Sequence, residues 1–95
     1  MKYKIDYLLQ YISNDELKFI LNRYNDYTLK CLEDDRVLVL NNIRYLVKYG
    51  ISNINDVIVR NIEDFLDDNK EFIDKIKKYE QSMTKEEIIS MLENR

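Results

Sequence analysis

Apolar residues recur along this chain at intervals of three and four, the spacing of one face of an α-helix. Three stretches repeat one arrangement: an apolar helix-period segment, then Ile-Ser or Met-Thr, then a second such segment. They are residues 5–23, 43–61 and 76–95. Repeats spaced by roughly 30 to 40 residues are typical of stacked helical units that cannot bury an apolar face alone. The pattern therefore predicts an all-α helical-repeat stack of about five or six short helices.

Polar residues mark where these helices begin and end. Two pairs have the spacing of a capping box, in which a hydroxyl and a glutamate satisfy free backbone N–H groups at a helix start. The pairs are Ser13 with Glu16 and Thr84 with Glu87. Gly50 is placed to adopt the left-handed conformation that closes a helix, and Ser52 is then expected to cap the next helix.

Residues 27–40 leave an alternative open. Their β-branched and apolar residues lie on either side of Glu33-Asp34-Asp35, as in a β-hairpin. The register of the repeat instead predicts a linker at residues 31–35, similar to the one at residues 65–69, followed by a helix.

Composition narrows the class of protein. The 95 residues form one domain, and the absence of Pro, with only one Gly, leaves few positions that break a helix. With no His and one Cys, the chain has few transition-metal ligands and no imidazole to activate a nucleophile, so we expect no metal, no cofactor and no enzymatic activity. The lone Cys31 and the short apolar runs predict a cytoplasmic chain that does not enter a membrane.

The net charge of −3 is unevenly distributed, because residues 63–95 carry six Lys and Arg against ten Asp and Glu. Four of these acids share one helix face by spacing: Asp64, Asp67, Asp68 and Glu71. Four interpretations are open: a solvated face, a patch for a basic partner, a mimic of nucleic-acid phosphates, or a cation site. A calcium loop is not indicated, since its alternating oxygen ligands and turn glycine are missing.

Tyrosines form the most distinctive pattern. They recur every four residues in the first two units, at equivalent positions of the repeat. The members are Tyr7 and Tyr11, then Tyr45 and Tyr49, with Arg44 and Lys48 beside the second pair. An exposed row of this kind suits protein recognition, or base stacking where cations flank it. The alternative is that these rings fill a second packing layer between neighbouring units.

Residues 40–79 contain a helix that ends in Gly50-Ile51-Ser52, a short helix that ends in Arg60, and Phe65-Leu66 at the next turn. In these features the segment resembles the mitochondrial transcription termination factor family, although Asn61-Ile62 stand where that family usually has a proline. The resemblance implies a curved helical stack that binds nucleic acid. The cations that would contact phosphates are Arg23, Arg44, Lys48 and Arg60.

The sequence therefore favours a non-catalytic module, monomeric or a weak homodimer, that recognises another protein through its tyrosine face. Such a small acidic chain fits a phage or mobile-element inhibitor or adaptor. Nucleic-acid binding is the alternative function. The two differ in salt dependence, because phosphate contacts weaken steeply as ionic strength rises.

Overall fold

The computed structural model describes residues 2–95, and that part of the chain is helical without strands. The elements are a 3-10 helix Asp6–Gln10, α1 (Asn14–Arg23), α2 (Asp26–Asp34), α3 (Arg36–Tyr49), α4 (Ile54–Arg60), a 3-10 helix Ile62–Leu66, α5 (Asn69–Tyr79) and α6 (Lys85–Glu93). This confirms the predicted all-α short helical stack. Each of the three repeated stretches contains two helical segments joined by a turn, the first of them opening with a 3-10 helix.

The longest helix, α3, lies at the centre of the packing. It contacts α2, α4, α5 and the 3-10 helix Ile62–Leu66. Its buried stripe is Val39, Asn42, Ile43 and Leu46. The three- and four-residue spacing of apolar positions predicts a different stripe, formed by Leu40, Ile43, Leu46 and Val47. That prediction is partly wrong, since Val47 is 42% exposed and Leu40 only half-buried. Asn42, a polar residue, lies in the middle of the buried stripe, so the spacing of apolar residues does not reveal that stripe.

The predicted helix caps are confirmed where they depend on local sequence. Ser13 Oγ accepts a hydrogen bond from the Glu16 backbone N–H at 3.1 Å, and Glu16 accepts one from the Ser13 N–H at 2.9 Å. Thr84 and Glu87 form the same box at the start of α6. Gly50 ends α3 with a φ of +119°, a conformation that a side chain would strain.

Three other local predictions are wrong. The hairpin alternative and the linker at residues 31–35 both fail, because residues 31–34 form the last turn of α2 and α3 follows at once. Ser52 does not cap α4, which begins after Asn53 without a side-chain cap. The backbone N–H and the hydroxyl of Ser52 instead donate to the Glu93 carboxylate at 2.8 and 2.7 Å. A charged acceptor from α6 supplies the stronger hydrogen bond.

Asn42 is fully buried on the inner side of α3 and ties that helix to the turn before α5. Its Nδ2 donates to the backbone carbonyls of Phe65 and Asp67 at 3.0 and 2.8 Å. Its Oδ1 accepts from Asn69 Nδ2 at 2.9 Å. One amide therefore satisfies two carbonyls at and just beyond the end of the 3-10 helix Ile62–Leu66, where the helical hydrogen bonds stop.

We expect Asn42→Leu to lower the free energy of unfolding by about 2–3 kcal/mol, because it leaves buried carbonyls without a donor. In a domain of this size that loss lowers Tm by roughly 10–20 °C. Urea and thermal unfolding measure both. Asn41→Leu is the matched control on the exposed side of the same helix, with an expected change of at most about 0.5 kcal/mol. Equal losses in the two variants would contradict the role assigned to Asn42.

Candidate functional site

The structure separates the two tyrosine pairs. Tyr7 turns inward, and its hydroxyl donates to the Leu32 carbonyl of α2 at 2.6 Å. Burial raises the pKa of the Tyr7 hydroxyl well above its ordinary range, while the nearby Arg36 charge lowers it and Asp35 raises it to smaller extents. Tyr11 is half-buried against the core. The first pair therefore packs one part of the chain on another, as the packing-layer interpretation expects.

Tyr45 and Tyr49 lie together on the α5 side of α3. Their ring centroids are 6.1 Å apart, and Tyr45 meets Phe72 edge-on at 6.4 Å. The Tyr49 hydroxyl donates to Glu80 at 3.2 Å, and Lys85 Nζ lies 5.3 Å from the Tyr49 ring centroid. Partial burial, followed by the Glu80 charge, raises the pKa of both phenols. Within residues 2–95 no ring contact joins this pair to Tyr7 or Tyr11.

The outward side of α3 is the surface on which the predicted cations stand. We call it the α3 outer face, defined by Val37, Leu40, Asn41, Arg44, Val47 and Lys48, which share one side of the helix by spacing. Val37 is 68% and Val47 42% exposed. Sequence reasoning found Arg44 and Lys48 here but missed Val37 and placed Val47 in the core. The signal in the sequence that could have indicated this face was the interleaving of its apolar residues with cations at helical spacing.

The α3 outer face is also electrostatically distinct. Helix α3 contains Arg36, Arg44 and Lys48 and no acidic residue, in a chain whose net charge is −3. In the described part of the chain, none of these three cations takes part in an ion pair. Their charges are therefore available to a partner.

The four predicted patch acids have three different roles. Asp64 pairs with Arg95 at 2.8 Å, and Asp67 pairs with Lys75 at 2.6 Å, which raises the pKa of that lysine. Asp68 caps α5 by accepting from the Lys70 N–H at 3.2 Å. Glu71 is exposed in the first turn of α5, where acids are favoured. Across residues 2–95, no three potential ligands among His, Cys, Asp and Glu gather to hold a metal ion.

A cavity of about 170 Å³ opens between α5 and α6, which pack on α3 and α4 respectively. We call it the α5–α6 cavity. Its walls are core side chains, including Leu46, Phe65, Phe72, Ile76 and Leu92. Its polar lining consists of Asn61, Tyr79 and the two ion pairs Asp64–Arg95 and Asp67–Lys75. Two of the four predicted patch acids thus help to line a concave site that the sequence did not reveal.

Comparison with protein-family models, curated proteins and solved structures finds no match to this chain. The resemblance to the mitochondrial transcription termination factor family stays a hypothesis that these comparisons do not test. None of the helices in the described residues has the length and hydrophobicity needed to cross a membrane.

Tyr7 makes the free energy of unfolding depend on pH in the alkaline range. Its raised pKa keeps the phenol neutral in the folded chain, whereas an unfolded tyrosine ionises near pH 10. The stabilisation from neutral Tyr7 is therefore complete below about pH 10 and is lost as the pH rises towards the folded pKa. Tyr7→Phe removes that dependence, but at neutral pH it costs about 1 kcal/mol for the lost hydrogen bond to Leu32.

We expect the stability gap between wild type and Tyr7→Phe to narrow above about pH 10, as measured by urea unfolding between about pH 7 and about pH 11. Tyr27→Phe is the control, since Tyr27 is 79% exposed. The gap between wild type and this control should stay near zero throughout. A constant Tyr7→Phe gap would contradict the assigned burial.

Proposed function

We propose that this chain is a non-catalytic module that binds another protein through the α3 outer face. The observation that carries the proposal is the combination on that face of exposed valines with Arg44 and Lys48, neither of which pairs with an acid among residues 2–95. Exposed apolar groups rimmed by charge are typical of interaction sites. The partner would present apolar residues flanked by Asp or Glu.

The rigidity of α3 supports this role. Its buried stripe is held against four other elements, so the outer face is presented on a fixed scaffold rather than on a loop. A helix of 14 residues is about 21 Å long, long enough for an amphipathic helix of a partner to lie along it. Binding to a preorganised helix loses little conformational entropy on this side of the interface.

The tyrosines take a supporting part in the proposed interface. Tyr45 borders the α3 outer face and is half-buried, and its contacts with Tyr49 and Phe72 hold it in place. Tyr7 and Tyr11 pack against the core, with the Tyr7 hydroxyl bonded to the Leu32 carbonyl of α2, and are not required for the contact. The unpaired, half-buried Cys31 fits a reducing, cytoplasmic setting.

Nucleic-acid binding is the second candidate, favoured by the cations of α3 and by the family resemblance. Of the four cations that the resemblance suggests, Arg44 and Lys48 share the α3 outer face. Arg60 is engaged elsewhere, because its guanidinium donates to the backbone carbonyls of Asp56 and Glu93 at 3.3 and 2.7 Å. Fewer free cations support phosphate contacts than the sequence suggested.

Substituting the valines distinguishes the two candidates. We expect Val37→Ser/Val47→Ser to abolish capture of the partner from extracts of cells that normally contain this protein, because it removes the exposed apolar groups. Arg44→Glu/Lys48→Glu should do the same by repelling an acidic partner. The readout is quantitative mass spectrometry of the captured proteins.

Lys77→Glu/Lys78→Glu is the matched control. It makes the same charge change at exposed positions of α5 that form no ion pair within the described residues. Capture of a specific partner should persist with this substitution and be lost with both α3 variants. Capture that is equal in all variants would contradict the proposed surface.

If the second candidate holds, fluorescence anisotropy should show binding of labelled DNA or RNA at low salt. Three α3 cations at phosphates predict that log K falls with log salt with a slope of about −2 to −3. Arg44→Glu/Lys48→Glu would then abolish binding, and Val37→Ser/Val47→Ser would leave it unchanged. No binding at low salt would rule this candidate out.

A further inference from the structure

We propose that the α5–α6 cavity binds a free α-amino acid with a branched aliphatic or aromatic side chain. Apart from Leu46, which belongs to the inner stripe of α3, the residues of this site lie on other elements than α3, and the site does not depend on the α3 outer face. Three features identify the ligand class: the size of the cavity, its apolar walls and the balanced charges that line it.

The walls fit an apolar group of limited size. Leu46, Phe72 and Leu92 are buried core residues whose side chains face the open volume of about 170 Å³. An apolar cavity of about 150 Å³ holds one benzene ring. The space therefore accommodates a side chain such as that of leucine or phenylalanine, and is too small for ligands of the usual drug size, which need about 300 Å³ or more.

The polar lining selects the head group. Two carboxylates and two cations face each other there, as Asp64 with Arg95 and Asp67 with Lys75, so the charge is balanced before binding. A simple amine would leave a cation without its partner, and a simple carboxylate would leave an acid without its partner. An α-amino acid zwitterion carries an ammonium and a carboxylate group on the same carbon atom, so every charged group keeps an opposite charge.

The charged side chains at the opening of the α5–α6 cavity can rearrange without unfolding the chain. The carboxylates stand on the segment that Asn42 holds through the Phe65 and Asp67 carbonyls, so their backbone is fixed. The cations are on long side chains, with Lys75 62% and Arg95 47% exposed. Either can swing away from its carboxylate and close again on a ligand carboxylate.

The test is a titration of ¹⁵N-labelled full chain with L-leucine and L-phenylalanine, followed by amide chemical shifts. We expect saturable shifts with a Kd of about 1 mM or tighter, centred on Phe72, Ile76 and Leu92. Two analogues retain the leucine side chain: 3-methylbutylamine lacks the carboxylate and 4-methylpentanoate lacks the ammonium group. Each should bind at least about tenfold more weakly.

Lys75→Met should weaken leucine binding about tenfold, because it removes one carboxylate partner. Lys77→Met is the matched control on the opposite side of α5, with unchanged affinity expected. Thermal melts of both variants confirm that they fold. No saturable shift at about 10 mM amino acid, shifts centred elsewhere, or equal binding of either analogue would overturn the proposal.

Discussion

The fold depends on one buried amide that joins α3 to the segment before α5. Asn42 lies at the centre of the packed stripe of α3. Its side-chain amide donates the hydrogen bonds that the carbonyls of Phe65 and Asp67 would otherwise take from a helical backbone. A leucine at this position would fill the space but leave both carbonyls without donors. The buried amide therefore fixes where the chain turns into α5, and with it the position of Phe65 in the core.

That constraint also determines which surfaces remain for function. Since α3 packs on four neighbours through its inner stripe, its cations and exposed valines are left pointing away from the core. The same turn carries Asp64 and Asp67 to the edge of the α5–α6 cavity, where each meets a cation from another element. One surface combines exposed valines with unpaired cations of the described chain, and the other is a cavity with balanced charges. The first follows from the packing of the inner stripe of α3, and the second from the Asn42 contact within that stripe.

Features decided by nearby residues could be predicted from the sequence. The capping boxes at Ser13 and Thr84 and the left-handed Gly50 need only a few residues on either side. Features decided by distant partners could not. The inward turn of Tyr7 depends on the Leu32 carbonyl of another helix, and the Ser52 contact depends on Glu93, 41 residues away. The cavity has no sequence pattern at all, because five elements build its lining.

The claim that most needs a direct test is that α3 holds the fold with one side and offers the other to a protein partner. Site-specific photo-crosslinking measures this in cells that normally contain the protein, with benzoyl-phenylalanine placed at position 41 on the α3 outer face or at position 77 on α5. We predict a discrete protein adduct from position 41 and none from position 77. No adduct from position 41, or equal adducts from both positions, would contradict the claim.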